Sequence, residues 1–325
     1  MSRPAILQIG DIAHAQKEWA ELGSFADLKE FNGSKSRAEF LKEIESGSYN
    51  DVVALYRSNE STSISKLPSS LKYICHNGAG YDNIDIPACT SRGISVSSTP
   101  IAVNNATADI AIFLMLGALR RIHIPYSAIR ATKWRGASQL GYDPQNKVLG
   151  ILGMGGIGRE VATRARAFGM KIQYYNRSRL SPELEQGAKY VSFEELIKTS
   201  DVLSLNCSLR KETVGIIGKK EFEQMKDGVV IVNTARGKLM DEGELVKALE
   251  SGKVFSAGLD VYEEEPKVHE GLLGNPNVVL LPHIGTATKE TQRNMELLVL
   301  ENIESAVKNG KLITQVSEQS KSAKL

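Results

Sequence analysis

Cysteine is scarce in this chain. Three occur in 325 residues, Cys75, Cys89 and Cys207, and no two form a CxxC pair. That argues against a disulfide framework and a structural zinc site, and fits a reducing compartment. A surplus of one charge is also missing: 40 Lys and Arg stand against 38 Asp and Glu, net +2, with no long basic run. Nucleic acid and an anionic membrane are therefore not expected as partners. Long apolar stretches are absent as well. The longest, IAIFLMLGAL at 110–119, falls short of the roughly 20 residues a membrane span needs and reads as a buried helix. The opening MSRPAILQIGD meets an acid too early for a signal peptide's apolar core. There is no internal repeat and no low-complexity tract. The last ten or so residues read as disordered. His269-Glu270 does not extend to HExxH, so no metal site is expected.

What remains is the composition of a soluble globular protein, 42% hydrophobic and 24% charged, at a length that suggests two domains. PAILQI, DVVALY, LKYICHN and GISVSS read as strands, with AEFLKEIE as a helix between them. Asn104 to Ile122 reads as one long apolar helix, with Asn104 or Asn105 as its N-cap. After the polar segment TKWRGASQLGYDPQNK, strands and helices alternate: VLGILGMG, IGREVATRARAF, KIQYYN, FEELIKT, DVLSLNC, KKEFEQM, GVVIVNT, DEGELVKALESG, VFSAGLDV and VVLLPH. A last helix runs from Thr288 to Asn309 and is expected to pack back on the first domain. The fold class is α/β, with two doubly wound parallel-sheet domains. Residues 1–102 and 289–325 form one domain and residues 103–288 the other.

GILGMGGIGRE supplies Gly153, Gly155 and Gly158 as G-x-G-x-x-G. The first glycine permits the tight turn, the second admits a pyrophosphate against the backbone, and the third lets helix pack on strand. Amides at Ile157 open the helix and complete an anion site. No Lys-Ser/Thr follows, so this is not a P-loop. About 20 residues past such a turn an acid usually holds the ribose 2′-hydroxyl of NAD. Here stand Asn176, Arg177, Ser178 and Arg179. A carboxylate would repel a 2′-phosphate, whereas Arg177 and Arg179 can pair with one, so NADPH is the expected cofactor and NADH the less favoured.

Three further motifs carry chemistry: VNTARGKLMDE holds Arg236, GLDVYEEEP holds Glu265, and LPHIGTAT holds His283. Together with HNGAGYDNID near residue 80, these motifs resemble the D-isomer-specific 2-hydroxyacid dehydrogenases. The resemblance implies reduction of a 2-oxo acid, which needs a cation for the substrate carboxylate, a proton donor at its carbonyl oxygen, and hydride at its carbonyl carbon. Arg236 suits the first task and His283 the second, with Glu265 raising the histidine's pKa. The likeness is greatest to the glyoxylate/hydroxypyruvate reductase branch, its fungal members above all, and spans nearly the whole chain. It implies a Rossmann cofactor domain, a flavodoxin-like substrate domain, and reduction of glyoxylate or hydroxypyruvate by a homodimer. It also implies that Ala79 and Gly80 present backbone amides to the substrate carboxylate and that Asp260 contacts the nicotinamide amide. Thr107, Ala235 and Arg236 would line the cofactor side. Trp134 falls in the segment that forms a dimer arm in relatives.

One departure stands out: Asn206-Cys207-Ser208 replaces the family's common His-x-Pro beside the cofactor, leaving that loop's contacts and rigidity open. Two other readings share the architecture. A dinucleotide-sensing corepressor keeps similar residues, but the arginine-bearing loop and the absence of a long disordered tail favour the reductase. Formate dehydrogenases carry glutamine where this chain has Glu265. The cytoplasm is the expected location, and the terminal Ala323-Lys324-Leu325 resembles a peroxisomal address.

Overall fold

The computed structural model describes residues 3–31, 36–57 and 64–320. The terminal tripeptide 323–325 therefore lies outside the described residues. The chain divides into two compact units, Met1–Val103 with Ala287–Leu325, and Asn104–Thr286.

In the first unit the chain runs β1 (Ala5–Ile9), α1 (Gln16–Glu21), β2 (Asp27–Phe31), α2 (Arg37–Glu45), β3 (Val52–Arg57), β4 (Tyr73–His76), α3 (Ile86–Ser91) and β5 (Ser95–Ser97). All pairs are parallel, in the order β2-β1-β3-β4-β5. That is the flavodoxin-like order. β2, sequence DLKEF, has no apolar alternation and buries only Phe31, as an edge strand can.

The second unit opens with α4 (Asn104–Leu119), α5 (His123–Arg130), β6 (Val148–Leu152), α6 (Gly156–Ala167) and β7 (Lys171–Tyr175). There follow α7 (Pro182–Glu185), β8 (Lys189–Tyr190), α8 (Phe193–Thr199), β9 (Val202–Leu205), α9 (Lys219–Gln224) and β10 (Val229–Asn233). It closes with α10 (Glu242–Glu250), β11 (Val254–Leu259), α11 (Glu270–Leu273) and β12 (Val278–Leu280). The sheet is parallel throughout, ordered β12-β11-β10-β9-β6-β7-β8. The chain winds outward from β6 one way and returns to start at β9 the other way, which puts a topological switch point between them. From Ile110 onward α4 is apolar on every face, and most of the helix is buried, as a helix clamped on a sheet must be.

Two expectations need correction. The helix from Asn104 does not reach Ile122: Arg121 turns left-handed (φ 45°) and α5 begins afresh. Nor is Asn104 a cap; it is the first helical residue, and its side chain lies against Gly156.

The last helix, α12 (Lys289–Asn309), returns to the first unit. There Glu296, almost fully buried, accepts from three successive amides, Ala13 (3.0 Å), His14 (2.7 Å) and Ala15 (2.8 Å). The last ten or so residues, expected to be disordered, lie partly outside the described ones, and those that are described make specific contacts. Val316 is buried and its amide bonds to Val96, while Gln319 accepts from the Val96 amide. An isolated apolar residue followed by a bonding amide gave no periodic pattern to read. Among the described residues no helix is long and apolar enough to cross a membrane.

Removing Glu296 would orphan three buried or half-buried amides, each costing about 1–3 kcal/mol less whatever water recovers. Glu296→Ala should therefore lower unfolding stability by about 2–4 kcal/mol in a denaturant titration, and Glu296→Gln by less. A change below about 0.5 kcal/mol would show the cluster to be idle.

Candidate active site

Every candidate in the second unit sits at or just past the carboxyl end of a strand, apart from Thr107 on α4. After β6 comes the glycine turn. Gly153 is left-handed (φ 95°), and a Cβ there would lie 2.6 Å from Cys207 Cα, so turn and β9 loop touch. A Cβ on Gly158 would stand 2.6 Å from the Gly153 carbonyl oxygen. Gly155 differs: a Cβ there would meet nothing within 4 Å. It faces open space at the start of α6, where Ile157 is the second helical residue. The first amides of a helix have no acceptor within it, and their dipole favours an anion. A dinucleotide's pyrophosphate fits this cradle. Cys207 closes its floor as a neutral thiol, its pKa pushed up to about 11 by burial.

The residues after β7 separate into different tasks. Asn176 turns inward, its Oδ1 accepting from the Met154 amide at 2.7 Å, which ties it to the glycine turn. Arg177 and Ser178 are exposed. Arg179 is not a free cation. Its Nε and Nη2 bond the two oxygens of Glu185 at 2.8 and 3.1 Å.

Past β10 the buried Asn233 shapes the Arg236 turn. Its Oδ1 accepts from the Ala235 amide (3.0 Å) and its Nδ2 donates to the Arg236 carbonyl (2.9 Å). Arg236 Nη1 donates to the Ala235 carbonyl at 2.8 Å. The following Gly237 presses on the backbone of Tyr262 and Glu263 so closely that any Cβ would overlap it. That contact draws the Arg236 turn against the loop bearing Glu265.

Glu265 is held from both sides. Its Oε1 accepts from the Tyr262 amide at 2.9 Å and its Oε2 meets His283 Nδ1 at 2.7 Å. The hydrogen bond to Glu265 lifts the His283 pKa above its ordinary value, against burial and the positive Arg236. Burial pushes the Glu265 carboxyl up, but His283, the Tyr262 amide and Arg236 outweigh it and hold it low. Asp260, at the end of β11, is fully buried, and its two oxygens accept from the Ile284 and Gly285 amides at 2.8 Å each. Burial raises its pKa despite those bonds. Thr107 on α4 packs on the same Gly285.

Thus Arg236, Glu265 and His283 come together, as do Asp260 and Thr107. Ala79 and Gly80 belong to the first unit, in the bend after β4. There His76 Nε2 lies 3.1 Å from the Gly80 carbonyl and closes the bend. His76, which the sequence offers as a structural or solvent-facing histidine, is the former, while Asn233 and Glu185 are organising residues that sequence reasoning missed. Only Asn233 left a trace, an amide ending an apolar strand. Among the described residues no three His, Cys, Asp or Glu side chains could hold a metal.

Comparison with known proteins identifies the family. A model of the D-isomer specific 2-hydroxyacid dehydrogenase NAD binding domain matches residues 112–285, over half of the chain. A 4-methyl-2-oxopentanoate reductase A of Aspergillus oryzae is 64% identical over 325 residues, covering 97% of this chain and 98% of that protein. The crystal structure of a glyoxylate reductase from Paecilomyes thermophila is 63% identical with a TM-score of 0.96, covering 98% of this chain and 100% of that one. An NADPH-dependent glyoxylate/hydroxypyruvate reductase from Sinorhizobium meliloti, crystallised with NADP and malonate, is 29% identical with a TM-score of 0.85, covering 98% of each chain. The chain belongs to the D-isomer specific 2-hydroxyacid dehydrogenase family. It is an enzyme, an oxidoreductase with an NAD(P)-binding domain.

The pair's titration follows from the two shifts. A raised His283 pKa stabilises the fold below the ordinary histidine value and loses that contribution as pH rises through the raised one. A lowered Glu265 pKa does the same in the acid direction, so the ion pair persists between the two. NMR titration should find His283 above the usual ~6.5, and Glu265→Gln should bring it down. An unchanged histidine pKa in that variant would contradict the coupling.

Proposed function

We propose that this enzyme reduces small 2-oxo acids, glyoxylate and hydroxypyruvate foremost, to 2-hydroxy acids with NADPH. The observation that carries the chemistry is the Glu265–His283 pair beside Arg236. Nδ1 is committed to Glu265, so Nε2 is the ring atom left to face a substrate. As an imidazolium, His283 donates the Nε2 proton to the carbonyl oxygen as that oxygen gains charge. Glu265 fixes the ring's orientation and stabilises its charged form. Arg236 takes the substrate carboxylate and orients the carbonyl, a task suited to a planar, permanently charged fork. The nicotinamide cofactor, when bound, supplies the hydride.

Unit Asn104–Thr286 is read as the cofactor domain, with Gly153, Gly155, Ile157 and Gly158 at the pyrophosphate. Thr107, Cys207, Ala235 and Asp260 line its inner side, and Asn176, Arg177, Ser178 and Arg179 its ribose end. The first unit is read as the substrate domain, offering the amides of Ala79 and Gly80. Arginines in place of the ribose-binding acid support NADPH, as does the NADP complex of the Sinorhizobium meliloti relative. The name of the Aspergillus oryzae relative favours a second substrate, the branched 4-methyl-2-oxopentanoate.

Loss of NADPH absorbance on adding each 2-oxo acid tests the reading. A higher kcat/KM for glyoxylate or hydroxypyruvate than for 4-methyl-2-oxopentanoate is expected, and the reverse order would reassign the substrate. NADH should serve poorly. Arg177→Ala should weaken NADPH by roughly one to two orders of magnitude, since charge-assisted bonds contribute about 1.5–3 kcal/mol. Equal use of both cofactors by the wild type would overturn the NADPH assignment. The rate should fall as pH rises through the elevated His283 pKa, and His283→Asn should cost ~10²–10⁴-fold in kcat.

We read the enzyme as a homodimer. Phe113, Tyr126, Ile129, Trp134 (71% exposed) and Leu140 (95%) are large apolar side chains left exposed within residues 113–140, and a second subunit would cover them. Light scattering should give about twice 35.5 kDa, and Ile129→Asp should shift the population toward monomer. A monomeric wild type at micromolar concentration would reject this assembly.

A further inference from the structure

The segment from Asn176 to Leu180 is an arch tied at both ends. At its start the Asn176 carbonyl accepts from the Tyr190 hydroxyl (3.1 Å), and its side chain grips Met154. At its end the Leu180 amide donates to the Tyr174 hydroxyl (3.0 Å). Arg177, Ser178 and Arg179 stand exposed between these ties. The Tyr174 hydroxyl donates onward to Glu185 Oε1 at 2.6 Å, and Arg179 meets the same carboxylate through Nε and Nη2. The Glu185 side chain is 8% exposed and that of Arg179 65%. Helix α7 therefore plants a buried carboxylate beneath an exposed arginine.

This side-on pairing occupies Nε and one N–H of Nη2. It leaves Nη1 and the other N–H of Nη2, the end-on fork that matches two phosphate oxygens. The carboxylate has two opposed effects on that fork. It cancels part of the positive charge, and it removes rotamers that a bound phosphate would otherwise have to freeze. At a guanidinium this exposed, water and salt already screen the charge, so cancellation counts for little. Restricting a long side chain before binding counts for more.

We propose that Glu185, braced by Tyr174, is a positioning residue that aims the free fork of Arg179 at the cofactor's 2′-phosphate and so sets the preference for NADPH. This rests on the NADPH reading above. Glu185 stays ionised well below neutrality, because the bonds from Arg179 and then Tyr174 lower its pKa. The brace is thus present at any working pH.

The test is the ratio of NADPH to NADH affinity, measured by calorimetry on the full-length enzyme. Immobilising one rotamer-rich side chain corresponds to about twofold to tenfold in binding. Glu185→Gln should therefore lower the ratio by about threefold to tenfold, Tyr174→Phe by less, and Arg179→Ala by more. Added to Arg179→Ala, Glu185→Gln should change the ratio no further. A ratio that rises in Glu185→Gln would make the carboxylate a competitor for Arg179 and overturn the proposal. Equal weakening of both cofactors would reduce Glu185 to a structural role and overturn it as well. Tyr174→Phe keeps the test open if Glu185→Gln folds poorly. If Arg177→Ala and Arg179→Ala both leave the ratio untouched, the NADPH reading itself fails. If Arg179→Ala lowers it and Glu185→Gln does not, only the positioning role fails.

Discussion

Strands that all run one way end at one edge, and their backbone polar groups must there be satisfied by something other than the sheet. In the Asn104–Thr286 unit that edge carries Gly153 after β6, Asn176 after β7, Cys207 after β9, Arg236 after β10, Asp260 after β11 and His283 after β12. The sheet spaces these residues at successive strand intervals without any residue having been placed individually. The turn with the open glycine leaves β6, beside the switch point, where loops diverge and a dinucleotide has room.

The loops at this edge are fixed by side chains that direct their polarity at backbone. Asn233 closes the Arg236 turn, Asp260 collects two amides of the loop after His283, and Glu265 Oε1 takes the Tyr262 amide. Glu242 and Glu263 exchange bonds, each accepting from the other's amide at 2.8 and 3.0 Å, and so join α10 to the Glu265 loop. Gly237 lets two of these turns meet backbone to backbone. These bonds set the backbone of the loops that carry Arg236, Glu265 and His283, and the Glu265–His283 contact then has only the imidazole ring to orient. Surface ion pairs would be too weak to set the loops.

This division explains what could be read from the sequence. Strands with continuous apolar runs, such as VLGIL and VVIVN, and helices closed by glycine were legible because burial on both faces writes itself into composition. The glycine turn and the Arg236, Glu265 and His283 motifs stood out jointly, because each follows a strand of one dinucleotide fold, whereas any one alone has common structural uses. β2 was not, since an edge strand buries one residue in five here. Nor was the break at Arg121, where a non-glycine residue turns left-handed with its guanidinium against the Phe255 ring and carbonyl. Glu185 lay six residues beyond Arg179 in a stretch that reads as an ordinary polar turn. Its meaning comes from a tertiary bond to Tyr174, and no local pattern encodes that.

Two carboxylates at this edge work in the same way. Glu265 is anchored by the neutral Tyr262 amide and Glu185 by the neutral Tyr174 hydroxyl, and each holds a more exposed cation by one edge. Each leaves the cation's other edge free, Nε2 on His283 and the Nη fork on Arg179. The outcomes differ because the cations differ. Histidine is the side chain that ordinarily titrates near neutral pH, and although Glu265 raises its pKa here, its free edge can surrender a proton and recover it. Arginine cannot lose its charge there, so its free edge is a permanent address for an anion. One arrangement of carboxylate and anchor thus gives a titratable edge after β12 and a fixed charge near β7, according to which cation the sequence supplies.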